Sequence, residues 1–181
     1  VKPLKIPVSV KNLDWNGTEA TTTVVDANAS YSRIKEMNVI SDTDNLYIRM
    51  IVSLTEPFEG NYLDLFFCDG EGETDLWADY WTTKCTNKYY YQHKGELGTD
   101  GIITKMRFYT EANEGGRVYV TTLTEIVDDE AYWYFTYPLT YLNQYKSAEG
   151  KLFISAMLWK GWDAYGVIPT KGTEMLEVTL P

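Results

Sequence analysis

The chain is poor in the residues that build the commonest catalytic and metal sites. Its 181 residues include one histidine, His93, and two cysteines, Cys68 and Cys85. A CxxC pair or a zinc-type Cys/His cluster does not occur in the sequence, which argues against a zinc site. Neither the GxSxG turn of α/β-hydrolases nor a glycine-rich phosphate loop occurs. A serine nucleophile of that type and a nucleotide site therefore have no support in the sequence.

Long apolar runs and an excess of positive charge are also absent. No segment approaches the roughly 20 apolar residues that span a bilayer, so no transmembrane helix is predicted. Lysine plus arginine number 16 against 26 acidic residues, which gives a formal net charge of −10. Binding to nucleic acid or to anionic lipid needs a basic surface. We therefore expect no nucleic-acid partner and no membrane-spanning segment.

Long helical patterns are missing as well, and what is present is typical of β-strands. Aromatic residues make up 15% of the chain, and Val, Ile and Thr are frequent, a composition that favours strands over helices. The pattern predicts an all-β protein: a two-sheet antiparallel β-sandwich of about ten strands, similar to a jelly roll. Residues 1–12 are predicted to be a lead-in segment, and residues 13–181 a single β-sandwich domain.

Individual strands are predicted from the alternation of apolar and polar residues. Residues 33–40 and 46–54 are predicted to pair as a hairpin around a polar turn. One face of the first strand is expected to hold Ile34, Glu36, Asn38 and Ile40. One face of the second is expected to hold Leu46, Ile48, Met50 and Val52. The other predicted strands are residues 19–25, 61–68, 76–83, 88–93, 102–109, 117–125, 131–137, 152–159 and 174–180. Residues 138–145 are expected to contain a short helical turn, and residues 160–172 a loop.

A glycine-rich loop follows the predicted strand 61–68 and carries carboxylates at alternate positions. The candidate metal ligands in it are Asp69, Glu71, Glu73 and Asp75. Calcium takes roughly six to eight oxygen ligands, and flexible acidic loops supply them. The start and the end of an EF-hand loop are missing, so a calcium site here would be of another type. The alternative is a solvated turn whose charges prevent pairing at a strand edge.

Two aromatic clusters are the strongest functional pattern in the sequence. Strand alternation would place the first cluster, within residues 76–83, on one face of its strand. The second lies in the glycine-punctuated segment 160–166. Indole and phenol rings cover the apolar faces of a sugar, while charged and amide side chains hydrogen-bond its hydroxyl groups. The candidate ligand-binding residues of the two clusters are Trp77, Asp79, Trp81, Lys160, Trp162, Asp163 and Tyr165.

The alternative for each tryptophan is a place in the hydrophobic core. Trp159 lies inside an apolar strand, and we expect it to be buried. Trp162 lies in a predicted loop, and we expect it to be exposed, as is usual for aromatic residues of a binding face. For Trp77 and Trp81 both possibilities, burial in the core and exposure at the surface, stay open.

Two interpretations of the cysteine pair also stay open. In an exported protein, Cys68 and Cys85 could form a disulfide around a loop of about 17 residues. In a cytosolic protein they would instead be small buried hydrophobic residues.

Three segments resemble parts of a known family: LDWNG at 13–17, SDTDNLYI at 41–48 and LDLFFCDG at 63–70. In this order they resemble the family 9 carbohydrate-binding module and the related DOMON-like β-sandwiches. The resemblance implies a non-catalytic, extracellular jelly roll that is often stabilised by calcium. In family 9 modules a terminal sugar is held between two tryptophan rings. By position, Trp77 or Trp81 together with Trp162 would form the matching pair.

Residues and resemblance together predict a non-catalytic carbohydrate-binding module of a secreted or cell-surface protein. Its expected partner is a polysaccharide or oligosaccharide, and a structural calcium ion is the one cofactor that the sequence suggests. The lead-in segment suggests a module of a larger chain or surface complex, with a lipid anchor at a preceding N-terminus as one option. One alternative is a structural or adhesive surface β-sandwich without sugar binding. The other is a glycoside-cleaving enzyme with two carboxylates, for which Asp79 and Asp163 would be the first pair to inspect.

Overall fold

The computed structural model of the protein describes residues 9–55, 58–75, 79–86, 89–108 and 118–181. A short helix, α1 (Leu139–Leu142), continues into a 3-10 turn at Asn143–Tyr145, so the predicted helical turn is confirmed. Within the described ranges, no helix has the length and apolar character that crossing a bilayer needs. The strands are β1 (Thr21–Val24), β2 (Ile34–Ser41), β3 (Asn45–Ser53), β4 (Tyr62–Cys68), β5 (Thr74–Asp75), β6 (Lys84–Cys85), β7 (Tyr89–Leu97), β8 (Ile103–Phe108), β9 (Val118–Val127), β10 (Glu130–Pro138), β11 (Lys151–Lys160), β12 (Asp163–Ile168) and β13 (Leu176–Thr179).

Antiparallel ladders join the main strands into one continuous sheet. Its order is β1-β2-β3-β10-β9-β8-β7-β4-β11-β12, and β13 also pairs with β11. The sheet curls until its two ends approach each other: the Val167 amide donates to the Tyr31 carbonyl over 2.9 Å, and Ser32 forms an isolated bridge with Gly166. The shape is therefore nearly that of a barrel. The all-β, antiparallel prediction is confirmed, but a two-sheet sandwich is not, because the hydrogen-bonded order runs from β1 to β12 without a break.

The core lies inside this curled sheet and is filled by inward-facing side chains. Successive side chains of a strand point to opposite faces, so alternation determines which residues face inward. The predicted inward face of β3 is confirmed, since Leu46, Ile48, Met50 and Val52 are each 0% exposed. The predicted face of β4 joins the same cluster through Leu63, Leu65 and Phe67. Full burial of each such side chain is worth about 1.5–3 kcal/mol.

A β-bulge in β2 makes the predicted face of that strand wrong. The register against β3 shifts between Ile34 and Glu36. Ile34 and Met37 therefore both reach the core, together with Val39. Asn38 lies instead on the outer face, where it accepts a hydrogen bond from a buried arginine. One extra residue reverses the facing of every later side chain in the strand, and the alternation in the sequence contains no sign of it.

A second layer covers the outer face of β4 and β11. We call residues 69–75 and 79–86, which form much of this layer, the flap. The flap contains the short antiparallel pair β5 and β6. The residues buried beneath and within it are Phe66, Cys68, Trp81, Cys85, Met157, Trp159, Val167 and Met175. β4 and β11 are thus buried on both faces, which explains why their sequences are nearly continuous apolar runs.

The predicted strand over residues 76–83 is wrong for residues 79–83, the part of it that the structure describes. Asp79 begins a turn, and Trp81 makes only an isolated bridge with Thr173. Residues 76–78 lie outside the described residues. Strand alternation consequently does not govern which way the side chains of residues 79–83 point.

The predicted loop 160–172 contains a strand instead, β12, which pairs with β11. Gly166 permits the close approach of β12 to the start of β2. A Cβ atom at Gly166 would lie 3.0 Å from the Cγ1 atom of Ile34, so a side chain there would crowd the contact. Glycine weakens the strand pattern in a sequence while allowing such approaches, and this is why the local pattern favours a loop.

Several hairpins meet at one end of the sheet, which we call the loop end. Because neighbouring strands are antiparallel, β3, β7, β9 and β11 finish at this end, and β4, β8, β10 and β12 begin there. The described connections at the loop end are residues 25–33, 54–55 with 58–61, 98–102, 128–129 and 161–162. Loops grouped on a rigid scaffold are the usual place for a binding site.

Candidate functional site at the loop end

Trp162 stands at the tip of the β11–β12 hairpin. Gly161 supplies the left-handed backbone of this turn, with a φ of +59°. The Gly161 amide donates to the Asn61 Oδ1 atom over 3.0 Å, which holds the turn in place. The Trp162 side chain is 95% exposed, more than any other large hydrophobic residue that the structure describes. The predicted exposure is confirmed, and the ring is free to contact a ligand.

Charged and amide side chains flank this turn. Lys160 forms an ion pair with Glu59, and the hydrogen bond to that carboxylate raises the pKa of the Lys160 amine. Asp163 opposes Lys160 across the β11–β12 ladder and is exposed. Hydrogen-bond donors and acceptors therefore lie next to an exposed indole ring.

Tyr165, another predicted ligand-binding residue, supports the loop end from within. Its half-buried ring packs edge-on against Phe58, with 5.9 Å between the ring centroids. The Arg33 guanidinium lies 4.7 Å from the centre of the same ring, a distance typical of a cation–π contact. The Tyr165 hydroxyl accepts a hydrogen bond from the Glu59 amide over 3.2 Å. Tyr165 thus fixes the β3–β4 connection against β12.

A pocket of about 510 Å³ opens at the loop end. Its volume lies in the range of small-ligand sites. Leu54 and Phe58 give it an apolar wall, and the rest of its lining consists of three aspartates and two threonines. The lining residues come from three connections: Leu54, Thr55, Phe58, Thr99, Asp100, Asp128 and Asp129. Sequence reasoning missed this pocket, because no linear spacing connects these three loops.

The backbone holds the pocket aspartates in place. Asp128 has a φ of +54° in the two-residue turn between β9 and β10, a conformation that aspartate tolerates better than most residues. Its neighbour Asp129 accepts the Leu54 amide at its carbonyl over 2.8 Å. The Asp100 Oδ1 atom accepts the Ile102 amide over 3.0 Å. In the sequence, the only indication of this pocket is the turn-forming composition of residues 127–130.

A short segment connects the pocket with the exposed indole. Phe58 lines the pocket, its neighbour Glu59 pairs with Lys160, and Asn61 holds the turn that carries Trp162. The pocket and the hairpin tip therefore share the β3–β4 connection and lie at the same end of the sheet.

The first predicted aromatic cluster is arranged differently. Trp81 is 1% exposed, and its Nε1 atom donates to the Pro169 carbonyl over 2.8 Å. Its ring centroid lies 5.5 Å from that of Phe66. Burial in the core and exposure at the surface were both open for Trp81. It lies in the core, so its ring cannot stack on a ligand. Asp79 is exposed, and Trp77 lies outside the described residues.

Trp159 occupies the core position that was predicted for it. It is 8% exposed, and its Nε1 atom donates to the Asp64 Oδ2 atom over 2.8 Å. This bond compensates part of the cost of removing both polar groups from water.

A pair of tyrosines beside β12 was not selected by the sequence analysis. The ring centroids of Tyr31 and Tyr80 are 6.3 Å apart, and the Lys171 amine lies 5.8 and 5.6 Å from them respectively. Tyr31 is 37% exposed and has a φ of +59°, which is unusual for an aromatic residue. Burial is the main cause that raises the pKa of the Tyr80 phenol. Only the fold could reveal this cluster, since its members lie far apart in the chain.

Asp69, the first predicted calcium ligand, is buried and bonded to protein groups. Its Oδ1 atom accepts the amides of Glu71 over 3.1 Å and Thr86 over 3.0 Å, and its Oδ2 atom accepts the Thr86 hydroxyl. Glu71, Glu73 and Asp75 are exposed, and Asp75 forms an ion pair across the β5–β6 ladder. Asp69 therefore has a clear structural role in closing the flap.

Calcium binding by this acidic loop stays a prediction from the sequence. Among the residues that the structure describes, no group of three or more Asp, Glu, His or Cys side chains comes together in a way that could hold a metal ion. If the loop does bind calcium, removing the ion with excess EDTA should lower the melting temperature, because a ligand bound only to the folded state stabilises it. At a calcium concentration of about 100 Kd the expected shift is roughly 5–10 °C. Thermal unfolding in EDTA and in calcium chloride, followed by circular dichroism, measures it, and equal melting temperatures would count against the site.

No protein-family model matches this chain, and no curated protein matches it. The resemblance to family 9 modules stays a hypothesis, and the function has to be argued from the loop end itself.

Proposed function

We propose that the protein is a non-catalytic carbohydrate-binding module whose binding surface is the loop end. The observation that carries this proposal is Trp162, an indole ring 95% exposed at a hairpin tip. A ring in that position contributes little to packing, and tryptophan, which combines a large apolar ring with a polar N–H group, is enriched at binding interfaces. Stacking on the apolar face of a pyranose would remove this ring from water.

The polar groups around the ring suit the hydroxyl groups of a sugar. Lys160 and Asp163 flank Trp162 in the hairpin, and the pocket adds the carboxylates of Asp128 and Asp129. Hydrogen bonds to ionised carboxylates are about twice as strong as those between neutral groups. The net charge of −10 disfavours acidic glycans. The proposed ligand is therefore a glycan without carboxylate or sulfate groups.

The proposal includes a secreted or cell-surface location and a place within a larger chain or surface complex. A single stacking ring contributes on the order of 1 kcal/mol beyond the burial of its area. Affinity for a short sugar should therefore be modest. Several copies of such a module along one chain or one surface would raise the overall affinity by multivalency.

Affinity electrophoresis tests the proposal directly. The wild-type protein is run through gels that contain neutral, amino-sugar or uronate polysaccharides, beside a non-binding protein of similar charge. We expect retardation by at least one polysaccharide without acidic groups and none by the uronates. Free migration in every gel would contradict the proposal and favour a structural or adhesive sandwich. Release of reducing ends from a retained polysaccharide would favour the glycoside-cleaving alternative.

The pocket carboxylates give a second test of the same surface. The double variant Asp128→Asn, Asp129→Asn keeps side chains that suit the turn but removes both charges. We expect affinity for the retained glycan to fall about thirtyfold, because exchanging a hydrogen bond to a charged group for one to a neutral amide loses roughly 1 kcal/mol at each of the two positions. The melting temperature should change little. The control is Glu149→Gln at the opposite end of the sheet, which also removes a negative charge, and an equal effect of that change would contradict a local role of the pocket.

A further inference from the structure

Two buried thiols meet beneath the flap, and their chemistry is independent of the proposed glycan site. Cys68 is the last residue of β4, and Cys85 is the last residue of β6. Both are free and 0% exposed. They belong to one hydrophobic cluster, in which the Cys68 Sγ atom also lies 3.8 Å from the Met175 Sδ atom.

Hydrogen bonds hold the two cysteines side by side. The residue after Cys68 is Asp69, and its carboxylate accepts both the amide and the hydroxyl of Thr86, the residue after Cys85. Each thiol lies close enough to the other to shift its pKa, downward for Cys68 and upward for Cys85. These hydrogen bonds already bring the two segments together at the place where a covalent bond between the sulfur atoms would link them.

The contact between the two thiols gives them different acidities. The hydrogen bond from Cys85 lowers the pKa of Cys68, while the same contact and burial raise the pKa of Cys85. The thiolate is the reactive form of cysteine. Both thiols are fully buried in the folded chain, so an oxidant reaches them while the chain is unfolded or refolding.

The geometry points to an intramolecular Cys68–Cys85 disulfide that fastens the flap to the sheet. The oxidant is a disulfide of the glutathione or thiol-oxidoreductase class. The thiolate of one cysteine attacks it, forms a mixed disulfide and releases one thiolate. The other cysteine then loses its proton and attacks the protein sulfur of the mixed disulfide, and the second half of the oxidant leaves as a thiolate. Two protein thiols are thereby oxidised to one disulfide, while the oxidant is reduced to two thiols.

The cross-link would act on the flap that covers one face of the sheet. The loop that it closes, residues 68–85, contains Trp81, whose indole fills the cluster under the flap. Linking the ends of this loop reduces the freedom of the unfolded chain. For a closed loop of this length, the melting temperature is expected to rise on the order of 5–10 °C.

Peptide mapping without reduction tests the inference. The wild-type chain is unfolded and refolded in a buffer of oxidised and reduced glutathione, and a second sample is kept in dithiothreitol. We expect the first sample to contain the linked Cys68 and Cys85 peptides, to show no titratable thiol in denaturant, and to melt at the higher temperature. Two free thiols in the glutathione buffer, or glutathione left on one cysteine, would overturn the inference.

A double variant separates the cross-link from other effects of the redox buffer. Cys68→Ala, Cys85→Ala should melt at the same temperature in both buffers. If that variant does not fold, the mapping of the wild-type chain still decides whether the bond forms. A linked peptide with no change in melting temperature would overturn the stabilising role assigned to the bond.

Discussion

The Trp162→Ala variant is expected to lose retention on the polysaccharide that retains the wild-type protein. The substitution removes a ring that is 95% exposed and that no packing contact requires. If that ring stacks on a sugar, its loss should weaken binding by about tenfold or more, since stacking adds to the burial of its apolar area. The free energy of unfolding should stay within about 0.5 kcal/mol of the wild-type value, as is usual for surface substitutions.

Two matched variants make this result specific. Trp162→Phe keeps a flat apolar ring and should recover part of the retention. Tyr119→Ala removes another exposed aromatic side chain, 53% exposed, from the opposite end of the sheet. It should bind like the wild type. Full retention of Trp162→Ala in affinity electrophoresis, or equal losses in Trp162→Ala and Tyr119→Ala, would show that the hairpin tip is not the binding site.

The Trp81→Ala variant should have the opposite profile, with a large loss of stability. Trp81 is 1% exposed, packs 5.5 Å from the Phe66 ring and donates its Nε1 hydrogen to the Pro169 carbonyl. Truncating a buried tryptophan to alanine costs about 3–5 kcal/mol, because the free energy gained by burying its apolar surface is lost and a cavity remains. The Pro169 carbonyl would also lose its partner in the protein. Denaturant unfolding followed by circular dichroism measures the change.

Trp81→Phe separates packing from hydrogen bonding in this site. It keeps most of the ring and removes the donor, so it should cost less than the alanine variant. Trp162→Ala is the control for the chemical change itself, since it is also a tryptophan-to-alanine substitution. Similar free energies of unfolding for Trp81→Ala and Trp162→Ala would contradict the burial of Trp81 under the flap.

Much of the strand pattern could be predicted because it depends on neighbours along the chain. Alternation correctly gave the inward faces of β3 and β4, and the turn residues correctly marked the hairpin of β2 and β3. In the β2–β3 turn, Asp42 accepts the amides of Asp44 and Asn45 over 2.8 and 2.7 Å, which is a local reason for a turn there. These features need no knowledge of the rest of the fold.

The errors arise where distant parts of the chain meet. The bulge in β2 changes the facing of that strand, and β12 pairs with β11 although Gly166 weakens its strand pattern. Asp69 shows the same limit: its carboxylate accepts the Thr86 amide and hydroxyl, 17 residues further along, a contact that spacing in the sequence does not indicate. Local composition contains no information on which distant donor a carboxylate will find.

Sequence alone determined that this chain forms antiparallel strands and that the Trp162 ring would be exposed, because both follow from residue types at adjacent positions. Tertiary structure alone decided that Trp81 is buried, that three loops surround an acidic pocket, and that two thiols meet beneath the flap. Each of these depends on how the sheet curls and on which segment covers its outer face. Those arrangements arise from contacts between residues far apart in the chain, and a pattern read over a few residues does not encode them.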